Sequence, residues 1–170
     1  MARLPYADSS NPEIATVVER IERERGKVLN LYGMLLNSPP VAEGWLAFLT
    51  AIRQKCKLSG HDRELVIMRV AVLNGADYEF RAHVPFALKD GITEAQIDAL
   101  RDSRLDAFDA RERDILAYCD SMTREIHVPD AVFQAVKPHF DDREMVELTA
   151  TIAAYNLVSR FLEALQVDHD

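Results

Sequence analysis

The chain has 170 residues, with 28 acidic against 20 basic side chains and a formal net charge of −8. A field of that sign excludes nucleic acid and anionic membrane surfaces as partners, because both demand basic patches. At this length folding buries roughly 70% of the unfolded chain's surface, so one domain over residues 1–170 can build a full core without disulfide or metal.

In chain order, residues 1–11 read as an extended arm. Asn11-Pro12 then sets a cap before a proline at the first helical position and predicts a helix to about Arg25, where Gly26 interrupts. Val28, Leu31, Leu35 and Leu36 continue with helical spacing. Ser38-Pro39-Pro40 restarts the chain, again as cap plus proline, into a helix carrying Trp45, Phe48, Leu49 and Ile52. Ser59 and Asp62 stand at capping-box spacing ahead of R-E-L-V-I-M-R-V-A-V-L, which Asn74-Gly75 ends.

The next helix runs from about Ala76 to Lys89 and stops at Gly91. T-E-A-Q at 93–96 is a capping box for a short helix. Residues 109–125 are amphipathic, with Ile115, Leu116, Cys119 and Met122 on one face. Val128-Pro129-Asp130 starts another short helix, and Asp141 with Glu144 caps a last long one to about Leu165. No stretch alternates as a strand does, so the predicted fold is all-α.

The longest apolar runs fall far short of a membrane span. M-A-R-L-P-Y-A-D-S-S lacks the apolar region of a signal peptide. Cys56 and Cys119 are distant and form no C-x-x-C, as suits reduced thiols. Together these features predict a cytoplasmic protein. D-R-E-L-V at 62–66 recurs as D-R-E-M-V at 142–146, each opening a long helix. A pseudo-duplicated bundle would give such an echo. So would convergence on a favourable helix start.

The chemistry concentrates around the Asn74-Gly75 corner. If helices 62–73 and 76–89 form an antiparallel hairpin, His83 lies level with Ile67 and about one turn from Glu64, close enough for contact. Glu79 precedes His83 by four residues and shares its face. Carboxylates beside an imidazole favour its charged form and orient it, making a competent general acid. A solvated helix face explains the same residues: Glu64 suits a first helical turn, and Glu79–His83 would be a surface pair. These three could also ligate a metal, but the Glu-x-x-His of di-iron bundles is absent, and no metal is expected.

The stretch R-E-L-V-I-M-R-V-A-V-L-N-G-A-D-Y-E-F-R-A-H-V-P-F-A-L-K-D-G-I-T-E-A-Q-I, with A-R-L-P before it and A-A-Y-N-L-V-S-R-F-L-E-A-L near the end, resembles the carboxymuconolactone decarboxylase family, which includes the AhpD-like peroxidase-associated proteins. The resemblance implies an all-helical bundle that assembles as a trimer or hexamer. In the family's peroxidase branch a glutamate precedes a C-x-x-C, and a histidine follows the second cysteine by four residues. On this chain the glutamate falls on Glu64, the histidine on His83, and the cysteine positions on Ala76 and Glu79. Without either thiol no dithiol–disulfide couple can form, and disulfide-based peroxidase activity is not expected.

The decarboxylase branch also lacks the cysteines and keeps the glutamate and histidine. It implies a lyase without metal or organic cofactor, acting on a small carboxylated lactone or carbonyl compound. His83 would then be the acid and Glu64 its orienting partner. Glu79 would orient His83 or crowd a substrate carboxylate.

Three further residues are candidates for substrate contact. The last helix is apolar nearly all round between Leu148 and Leu165, which predicts burial in the core or at a subunit interface. Asn156 and Arg160 share one side of it, and Arg160 could meet a substrate carboxylate or form a salt bridge. Tyr78, beside Phe80, could line a pocket or be an ordinary packing contact. The alternative to a lyase is a non-enzymatic oligomeric scaffold, derived from an AhpD-like peroxidase and kept for small-molecule binding.

Overall fold

The computed structural model describes residues 1–170. It contains nine α-helices, joined by short 3-10 segments, and no strand. Two compact units are distinguished: residues 1–55 together with 161–170, and residues 56–160.

In the first unit Asn11 caps Pro12–Ile14, a 3-10 turn that leads into α1 (Ala15–Arg25). Gly26 stops α1 with φ 86°, a conformation other residues rarely adopt. α2 (Asn30–Leu35) is short, and α3 (Pro39–Gln54) begins on its prolines, although Ser38 forms no side-chain cap. Tyr6 and Asp168 tie the ends together: the phenol donates to the Asp168 carboxylate at 3.0 Å and accepts from the Asp168 N–H at 2.9 Å. Arg25 reaches the Tyr32 hydroxyl and Thr50, and Thr50 donates to Glu24. The tilted rings of Trp45 and Phe161 pack 5.1 Å apart.

The second unit is built around α4 (Gly60–Asn74). Its residues Glu64 to Ala71 are all buried, as an apolar run with polar interruptions requires. Ser59 accepts a hydrogen bond from Asp62 N–H, but the return half of the predicted box is missing, because Asp62 pairs with Arg111 instead. Gly75 closes α4 in the left-handed conformation, φ 67°, and the chain turns directly into α5 (Asp77–Lys89). α6 (Glu94–Arg101) and α7 (Ala110–Arg124) each carry a full capping box, Thr93 with Gln96 and Asp109 with Glu112. α8 (Asp130–Val136) precedes α9 (Asp142–Leu165), which Asp141 and Glu144 cap reciprocally.

Packing around α4 is polar as well as apolar. Arg69 is 2% exposed and donates two hydrogen bonds to Asp120 of α7, both 2.6 Å, plus one to Ser103. The buried guanidinium thus has a bidentate partner, the condition under which such burial is tolerated. Asp62 takes a second bidentate pair from Arg111, at 2.7 Å and 2.7 Å. On α9, Val146 and Leu157 are exposed on one face, while Leu148, Ile152, Tyr155 and Leu162 are buried. An apolar helix can therefore leave a stripe uncovered in the single chain. No helix is long and apolar enough to cross a membrane.

Candidate active site

The antiparallel turn at Gly75 brings the start of α4 against the middle of α5. Glu64 Oε2 lies 2.6 Å from Nδ1 of His83. Glu64 is 1% exposed, Glu79 2% and His83 7%. All three belong to the packed side of their helices, so the solvated-face alternative is excluded. On α5 the buried positions are Glu79, Phe80, His83 and Ala87, a helical stripe that places Glu79 on the same side as His83.

Two aromatic rings frame the imidazole. Tyr155 of α9 meets it edge-on, with centroids 5.1 Å apart and an interplanar angle of 89°. Phe86, three residues on along α5, packs at 5.7 Å while remaining 42% exposed, so the imidazole lies one ring below solvent. Pro85, also inside α5, lacks the N–H that would bond the Arg81 carbonyl, and the helical ladder is interrupted just beyond His83.

The second oxygen of Glu64 is held as well. Arg63 Nε donates to Glu64 Oε1 at 3.1 Å, and Arg63 Nη2 donates to Asp90 Oδ2 at 2.9 Å. Burial by itself would raise the Glu64 carboxyl, but the hydrogen bond and charge of His83, with Arg63, hold it below the ordinary carboxylate range. Glu64 is therefore an anion clamped between an imidazole and a guanidinium. A carboxylate on Nδ1 fixes the imidazole's orientation and leaves Nε2 as the nitrogen that can exchange a proton with a reacting group.

The remaining candidates sit on α5 and α9. Tyr78 is half-buried on the first turn of α5. Asn156 holds the Gly75 corner: its Oδ1 accepts from Asn74 at 3.1 Å, and its amide nitrogen donates to Thr123 at 3.0 Å. Arg160 is exposed and bonds back to Asn156 one turn earlier on its own helix. The hydrogen bonds of Asn156 and Arg160 thus go to one another and to the corner, not to the Glu64–His83 pair.

Sequence reasoning missed Arg63, Asp90 and Tyr155. The Arg63-Glu64 dipeptide was legible, but the reach to Asp90 depends on α5 returning beside the start of α4. Tyr155 gives no signal of its own among the apolar residues of α9. No group of three or more His, Cys, Asp or Glu side chains is arranged to hold a metal ion.

Cys119 is fully buried on α7, hydrogen-bonded to the Val66 carbonyl, and burial pushes its thiol well up. Cys56, before α4, is also raised by burial and by nearby Glu147. Neither cysteine lies on α5.

Comparison with known proteins agrees with this architecture. The carboxymuconolactone decarboxylase family matches residues 39–121, from the start of α3 into α7. The Bacillus subtilis (strain 168) protein YdfG is 29% identical over 106 residues, covering 61% of this chain and 72% of that protein. A peroxidase-related protein from Silicibacter sp. TM1040 shares the fold with a TM-score of 0.84 at 21% identity, over 99% of this chain and 92% of its own. The alkylhydroperoxidase AhpD core of a peroxidase-related protein from Ralstonia eutropha JMP134 shares it equally, with a TM-score of 0.84 at 19% identity and coverage of 99% and 92%. The family match thus spans the helices that carry the Glu64–His83 pair, and the all-helical fold around them is the one seen in these AhpD-like, peroxidase-related structures.

Proposed function

We propose that the protein is a cofactor-independent lyase of the decarboxylase type, acting on a small carboxylated lactone or carbonyl compound. The buried contact of Glu64 with His83 carries this reading. Its relatives include peroxidase-related proteins, and small-molecule-modifying or peroxidase-related chemistry is the broader class. Within that class a dithiol peroxidase is disfavoured, since Ala76 and Glu79 occupy the family's cysteine positions.

Loss of CO₂ breaks a carbon–carboxylate bond and leaves its electron pair on the neighbouring carbonyl system as an enolate. That pair must then take a proton. In this reading Nε2–H of a His83 imidazolium supplies it, and the imidazole is reprotonated from solvent. The Glu64 carboxylate stabilises the imidazolium before transfer and keeps the ring aimed after it. Glu79, the second buried acid on the same stripe, would orient the ring or favour departure of the substrate's carboxylate as neutral CO₂. Tyr78, Asn156 and Arg160 are the candidates for substrate contact. The exposed Val146 and Leu157 suit a homo-oligomer, a trimer or hexamer.

The test is CO₂ release and ultraviolet change on incubation with 4-carboxymuconolactone, with His83→Gln in parallel and oligomer size measured for both. Turnover lost in the variant with assembly intact supports the reading. Absence of turnover in the wild type removes this substrate.

A further inference from the structure

We infer that Arg63 and Asp90 are positioning residues that set the proton affinity of His83, acting in series through Glu64. This rests on the acid–base reading of His83, and the supporting observation is one continuous chain of contacts. Asp90 Oδ2 accepts from Arg63 Nη2 at 2.9 Å, Arg63 Nε donates to Glu64 Oε1 at 3.1 Å, and Glu64 Oε2 meets His83 Nδ1 at 2.6 Å. The Arg63 side chain is only 17% exposed, and that of Asp90 27%, so solvent screens the chain weakly.

The backbone accommodates the outer link. Gly60 opens α4 directly under the Asp90 carboxylate, where a Cβ would lie 2.5 Å from Asp90 Cγ and Oδ2. Only a residue without a side chain leaves room for that carboxylate to stay on Arg63. The chain of contacts therefore runs from Asp90 at the end of α5, across the start of α4 through Arg63 and Glu64, and back to His83 in the middle of α5.

Each link has a defined sign. Arg63 withdraws charge from Glu64, so it weakens the hold of Glu64 on an imidazolium. Asp90 draws Arg63 away from Glu64 and partly neutralises it, so Asp90 strengthens that hold. Other groups face His83 too: Glu79 on its own helix and Tyr155 from α9. Both stay constant in the comparison below.

The experiment is NMR titration of the His83 ring in the intact protein, its signal identified among the five histidines by its loss in His83→Gln. Arg63→Gln is expected to raise the His83 pKa by roughly one unit, and Asp90→Asn to lower it by roughly half a unit. In an Arg63→Gln background, Asp90→Asn should shift it by less than a third of its effect in the wild type, because its carrier is gone. Arg63→Lys, which keeps the charge with less disturbance, should return the value toward wild type if the glutamine variant folds poorly.

An Asp90→Asn shift of equal size with and without Arg63 would mean a direct field effect and overturn the series arrangement. No movement in any variant would overturn it too. Because the titration needs no substrate, failure of the lyase reading leaves this result intact, and failure here leaves turnover untouched.

Discussion

His83 Nδ1 and Glu64 Oε2 stand 2.6 Å apart although 19 positions separate the two residues in the chain. Both side chains are buried, which makes the pair costly to assemble and sensitive to the loss of either member. That geometry is the basis for the first expectation. In a substrate-dependent assay His83→Gln should lower kcat by about 10²–10⁴-fold, the usual contribution of a general acid. Glu64→Gln should lower kcat less, by about tenfold or more, with KM little changed, since the ring is retained but its orientation and charge support are weakened.

Acid stability follows from Glu64 with a definite sign. Its folded-state pKa lies below the ordinary 4.5, so the unfolded chain binds the proton more readily. The stabilisation is fully present above that ordinary value and is lost as pH falls through the lower folded value. Urea melts of wild type and Glu64→Gln should therefore differ by a constant amount at neutral pH. The gap should shrink below about pH 4.5. A gap that widened on acidification would reverse the sign argued here.

The Arg69–Asp120 pair should dominate the stability of the second unit. Arg69 is nearly inaccessible and bidentate to Asp120, so Asp120→Ala strands a buried cation. The expected loss is about 3–5 kcal/mol by chemical denaturation. Replacing both with apolar residues should cost much less than the single change, which a double-mutant cycle would show.

Gly60→Ala presses a methyl group into the Asp90 carboxylate. Alone it should destabilise by about 1 kcal/mol, the lost Asp90–Arg63 contact outweighing alanine's better helix propensity. With Asp90→Ala already present, the same change should be neutral or stabilising. Thermal melts of the four variants test this, and an identical effect in both backgrounds would mean that Asp90 is not the obstacle.

Asn156 and Arg160 are expected to separate. Asn156→Ala removes partners from Asn74 at the α4–α5 corner and from Thr123 of α7 and should cost about 1–3 kcal/mol. Arg160→Ala, at an exposed position, should change stability by less than about 0.5 kcal/mol. If Arg160 contacts a substrate carboxylate, its loss will appear in KM instead.

Helix order was legible because its signals are local. Proline after a cap, glycine after the last turn and paired capping residues act within a few positions, and all are printed in the sequence. The Asn74-Gly75 corner carried the reading furthest: it implied an antiparallel hairpin, and counting residues outward from it brought Glu64 near His83. Local rules stop short at α9. Its apolar character between Leu148 and Leu165 predicted burial in the core or at a subunit interface, and within the single chain Leu148, Ile152 and Leu162 are buried while Leu157 is exposed, since the neighbours available to cover a helix are not a property of that helix.

By itself, then, the sequence determined the all-helical class, the positions of the corners and the absence of a cysteine pair on α5, each a consequence of residues close together in the chain. Only the tertiary structure decided that Glu64, Glu79 and His83 are withdrawn from water, that Arg63 is shared between Glu64 and Asp90, and that Tyr155 closes on the imidazole. Burial and long-range pairing depend on which helices pack together, and charge in a low-dielectric interior is governed by those neighbours. The same residue types on an open helix face would have been a weak surface pair.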